Sequence, residues 1–105
     1  MKVRLTENQL RFRLDEAEVR RLTSGKPLEM SIAFESGAAL TWQLIPDPEA
    51  MHVEASFADG VVTVRIPGRH YEGWDTDDRI GFELKSEKSR GPLGVIVEKD
   101  LPCRH

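Results

Sequence analysis

Apolar and polar residues alternate with a period of two along most of this chain, and short polar turns break the alternation into hairpins. The clearest case runs from Val53 to Ile66. Asp59-Gly60 is a preferred pair for a two-residue type I′ turn, whose central positions both need positive φ. Closing that turn sets Phe57 opposite Val62, Ala55 opposite Val64 and Val53 opposite Ile66. The other face then pairs Glu54 with Arg65 and Ser56 with Thr63. A slip of one residue turns every apolar group to solvent, so the register is strongly specified.

Three further segments follow the same logic. A turn near Glu7-Asn8 pairs Leu5 with Leu10 and Val3 with Phe12. From Leu28 to Ile45, Met30, Ile32 and Phe34 alternate, as do Leu40, Trp42 and Leu44, around an odd-length loop at Ser36-Gly37. The last pair is Ile80-Phe82-Leu84 with Leu93-Val95-Val97, joined by the polar stretch Glu87-Lys88-Ser89-Arg90-Gly91-Pro92.

One helix separates the first two hairpins. Asp15 can cap it, and Glu18 completes a capping box. Leu14 and Val19 sit where a hydrophobic staple places them, and Gly25 ends the helix. A shorter helical turn is expected within Gly68 to Asp75, started by Pro67, with Tyr71 and Trp74 on one face. The order ββ-α-ββ-ββ-(α)-ββ predicts an α+β fold. It is mainly antiparallel β, about eight short strands in four hairpins, closed as a barrel or stacked as a sandwich. Its 105 residues make a single domain, 1–105.

Composition narrows the functional classes only a little. Hydrophobic residues at 39% and charged residues at 31% suit a soluble globular chain. A net charge of −3 argues against a polyanion binder by composition, though a local basic patch is still allowed. Cys103 is the single cysteine, so no internal disulfide can form. No signal-peptide pattern or membrane-length apolar run is present, so a cytoplasmic location is expected. No complete catalytic, metal or nucleotide motif occurs, which favours a non-enzymatic role.

Two groups of residues could carry function. Alternation places Lys2, Arg4, Arg11 and Arg13 on one face of the first hairpin, with Lys2 opposite Arg13 and Arg4 opposite Arg11. Like charges directly opposite repel, so the cluster calls for anions. A partner could supply them, as phosphate or another anionic ligand. The protein could also supply them, if the last hairpin lies alongside with Glu83, Glu98 and Asp100. Phe12 falls on the apolar side, so no aromatic stands on the basic face and nucleic acid is not favoured. The second group is Cys103 and His105, which an extended chain points the same way. They could share zinc or another transition metal, or act as a thiol with its base. A free cysteine more often simply packs. His70 to Asp78 mixes aromatic, imidazole and carboxylate groups but lacks the order of a calcium loop. His52 is expected on a polar strand face beside Glu54.

Met1, Lys2, Arg4, Asn8, Leu10, Arg11, Arg13 and Leu14 form an opening Met-Lys-x-Arg, then Asn, then Leu-Arg-x-Arg-Leu. Val97, Glu98, Lys99, Asp100 and Cys103 form a Val-Glu-Lys-Asp-x-x-Cys ending. Together these resemble a small uncharacterised bacterial family, a domain of unknown function, which tends to have phenylalanine where this chain has Leu101. The resemblance implies no activity, substrate or cofactor. It does imply that the arginine face and the Glu-Lys-Asp ending belong together. That favours pairing of these charges within the protein. The expected function is nonetheless a binding or interaction module with a basic face for an anionic ligand or protein partner. The alternatives are a metal or thiol site at Cys103 and His105, and a homodimer with no small ligand.

Overall fold

All four expected hairpins form in a computed structural model, which describes residues 1–86 and 93–100. The first joins β1 (Lys2–Thr6) to β2 (Gln9–Leu14) with Leu5 opposite Leu10 and Val3 opposite Phe12. The second joins β3 (Leu28–Ala33) to β4 (Ala39–Asp47), and the third joins β5 (Glu54–Ala58) to β6 (Val61–Pro67). In the third, Asp59 and Gly60 take φ of 53° and 77°, as a type I′ turn requires. Phe57 then faces Val62, and Ala55 faces Val64. The fourth pairs β7 (Gly81–Ser86) with β8 (Leu93–Lys99), setting Phe82 opposite Val97 and Leu84 opposite Val95. The stretch expected to join these two strands lies outside the described residues.

Between hairpins the pairing is parallel. β2 lies beside β8, and β4 beside β6, each in parallel register. The result is two mixed four-stranded sheets, ordered β1-β2-β8-β7 and β3-β4-β6-β5. The barrel alternative does not form, because the hairpins combine two by two and leave β1, β7, β3 and β5 as sheet edges among the described residues. The sandwich alternative fits. Phe12 of the first sheet meets Trp42 of the second edge-on, with ring centroids 6.3 Å apart. One core cluster runs through both sheets and includes Leu14, Leu44, Val64, Ile66, Val95 and Val97.

Helix α1 (Glu16–Thr23) begins as its sequence dictates. The Asp15 carboxylate accepts from the Glu18 N–H at 2.8 Å, and the Glu18 carboxylate accepts from the Asp15 N–H at 2.9 Å. Leu14 just before it and Val19 within it are both buried, and the helix packs on β2, β3 and β4. Helix α2 (Gly68–Tyr71) is shorter than the expected turn out to Asp75, because Glu72 leaves helical geometry with a ψ of 124°. Tyr71 and Trp74 still enter the core.

Candidate anion-binding site

Turning Val3, Leu10 and Phe12 inward turns Lys2, Arg4, Arg11 and Arg13 outward. The ladder sets Lys2 opposite Arg13 and Arg4 opposite Arg11. β8 then brings carboxylates to the first of these rows. Parallel pairing places Glu98 beside Arg13. Arg13 Nε donates to Glu98 Oε1 at 2.8 Å, and Lys2 Nζ lies 2.7 Å from Asp100 Oδ2. The Glu98 hydrogen bond holds the Arg13 guanidinium above its ordinary pKa. The Lys2 contact, aided by Arg13, holds the Asp100 carboxyl below the usual carboxylate value. This row is neutralised from within the protein.

The neighbouring row has only a longer-range share of Glu98. Arg11 has Ile96 beside it on β8, where a carboxylate would be needed. Its Nε lies 3.7 Å from the same Glu98 oxygen that Arg13 engages. That exceeds hydrogen-bonding range, and this buried Nε has no hydrogen-bond partner. Arg4 has no ion-pair partner among the described residues. Glu83 faces outward on β7 across Ile96 and forms no ion pair among the described residues. Lys2, Val3, Arg4, Arg11 and Arg13 together line an open pocket of about 330 Å³. The internal pairing expected of Glu98 and Asp100 therefore forms, and that expected of Glu83 does not. Cys103 and His105 lie outside the described residues. Elsewhere among the described residues, no group of three or more His, Cys, Asp or Glu side chains could hold a metal ion.

The segment after α2 is built around a residue that sequence reasoning passed over. Arg79 spans the loop, with Nε 2.8 Å from Asp77 Oδ2, Nη1 3.0 Å from the His70 carbonyl and Nη2 3.2 Å from the Glu72 carbonyl. Its own carbonyl accepts from Trp74 Nε1 at 2.9 Å. The Arg79 hydrogen bond lowers the Asp77 carboxyl pKa.

His70 stacks on Phe82 with centroids 5.6 Å apart. Burial first, then Arg69 and Arg79, push its pKa below the ordinary 6.5. The unfolded chain therefore takes up this proton more readily than the folded one. The His70 contribution to stability is complete above pH 6.5 and is lost as pH falls through the lower folded value. The depressed carboxyls Asp77 and Asp100 act in the same direction, below their ordinary 3.8. The melting temperature should thus fall on mild acidification, and His70→Gln should flatten that first part of the profile. An unchanged slope in the variant would assign the acid loss to other groups.

No described helix is long and apolar enough to cross a membrane. No curated protein and no solved structure matches the chain. A family model does match it from end to end. The chain belongs to the family of unknown function DUF7009, matched over residues 1–105.

Proposed function

We propose that this protein is a non-enzymatic binding module whose Arg4–Arg11 pair receives one anionic group of a ligand or partner. The observation that supports this is the uneven neutralisation of two adjacent rows. Lys2 and Arg13 have their own carboxylates, whereas Arg4 and Arg11 share an open pocket with no carboxylate in hydrogen-bonding range. An anion placed there relieves the repulsion between opposed guanidiniums and gains charge-assisted hydrogen bonds. The site suits a single charged group rather than a polyanion. Among the described residues only one row lacks a hydrogen-bonded carboxylate, and no aromatic stands on this face for a base to stack on; the chain is also net negative.

Titration calorimetry with inorganic phosphate at low ionic strength tests the reading. One saturable site is expected, weakened about tenfold or more by Arg4→Gln or Arg11→Gln, since hydrogen bonds to charged groups contribute roughly 1.5–3 kcal/mol. Far-UV circular dichroism should show both variants folded. Absence of saturable binding, or equal binding by the doubly substituted protein, would overturn it.

A further inference from the structure

The backbone of β1 is as informative as its side chains. Asn8 and Leu14 give their carbonyls to β8, accepting from the Gly94 and Asp100 N–H groups at 2.9 and 2.8 Å. N–H and C=O of one strand residue point to the same side, and successive residues alternate. Gln9, Arg11 and Arg13 therefore face β1, and their register partners Thr6, Arg4 and Lys2 face back to them. Among the described residues, Val3 and Leu5 are left presenting their N–H and C=O groups to a sheet edge. Leu5 is also 57% exposed, although its side chain is on the apolar side of the hairpin.

We propose that β1 takes up an extended peptide as an added strand, and that this peptide alternates acidic and apolar side chains. Residues of the added strand beside Val3 and Leu5 point to the apolar side and cover Leu5. Residues beside Lys2 and Arg4 point outward, where a carboxylate meets the guanidinium of Arg4. The acidic half of this pattern rests on the Arg4–Arg11 reading above. The choice of edge follows from the same acidic character. β3 carries Glu29 on its outward row, β5 carries Glu54 and β7 carries Glu83 beside Lys85, whereas the outward row of β1 holds cations and Thr6 only. The same charges make a second copy a poor occupant, because β1 against β1 sets Lys2 and Arg4 against their own kind.

The test uses the whole protein and capped peptides about six residues long, the usual length of a strand. One alternates Glu with Val. A second has the same composition in two blocks, and a third replaces Glu by Lys. Fluorescence anisotropy should show the alternating peptide binding at least about tenfold more tightly than either control, the scale of one charge-assisted hydrogen bond. N-methylation at every second residue should abolish binding in one phase and spare it in the other, because only alternate N–H groups of an added strand face the edge. Equal binding of the block isomer, or equal effects of both methylation phases, would overturn strand addition. Saturable phosphate binding in that event would leave the Arg4–Arg11 site standing. Loss of both would remove the site and the strand together.

Discussion

Replacing Trp74 by alanine is expected to destabilise the protein by about 3–5 kcal/mol, the range for truncating a buried tryptophan or phenylalanine. Trp74 is wholly buried and ties together pieces that the chain brings in from different directions. Its ring meets Phe82 of β7 edge-on at 5.0 Å, and Lys99 of β8 lies 5.7 Å from its centroid. Its indole N–H satisfies the Arg79 carbonyl. Alanine removes all three contacts and leaves that carbonyl without its donor. Chemical denaturation measures the effect as a lower midpoint with an unchanged slope. Trp74→Phe separates the terms, keeping most of the ring contact and losing the hydrogen bond, for about 1–3 kcal/mol. A loss under about 1 kcal/mol for alanine would show that the α2–β7 segment repacks around the gap.

Gly60→Ala is expected to cost about 2–5 kcal/mol, from two separate causes. The residue sits at φ +77°, where a side chain costs roughly 1–2 kcal/mol. A Cβ there would also stand 2.7 Å from the Ala39 carbonyl oxygen. Backbone cannot rotate away as a flexible side chain can, so overpacking adds about 1–3 kcal/mol. The close approach has a function in the fold. The Gly60 carbonyl accepts from the Thr41 N–H at 2.8 Å, which locks the third hairpin against the second. Gly37→Ala is the control, because Gly37 has φ +91° and open space around its Cβ position. It should cost only the backbone part. Equal losses at the two positions would show that the Ala39 contact relaxes without penalty.

Local chemistry made much of this fold legible. Asp15 and Glu18 announce their helix start because both donors and acceptors lie within one turn. Asp59-Gly60 announces its hairpin because few pairs tolerate two positive φ values. Alternation correctly placed Lys2, Arg4, Arg11 and Arg13 on one face. What it could not reveal was the neighbour of each hairpin. A strand with one apolar face reads the same beside a parallel or an antiparallel partner, so the β2–β8 and β4–β6 pairings left no local mark. The candidate site depends on that hidden step. Ile96 falls beside Arg11, and Glu98 beside Arg13, only because of the register between strands some eighty-five residues apart. Arg79 was illegible for a related reason. A lone arginine in a polar turn looks solvated until the carbonyls it braces are in place.

The placement of β8 between β2 and β7 also gives the chain a history. The second sheet, β3 to β6, is encoded without interruption, while the first is encoded at its two ends. During synthesis the second sheet can be complete while the first is still an isolated hairpin. Through that interval the inner edge of β2 has no strand to receive, and the Asn8 and Leu14 carbonyls await their donors. Glu98 and Asp100 arrive only with the last strand or just beyond it, so the growing chain carries Lys2, Arg11 and Arg13 without the carboxylates they later meet, beside an Arg4 that meets none among the described residues. The finished protein neutralises half of a basic surface whose charge its nascent form displays in full.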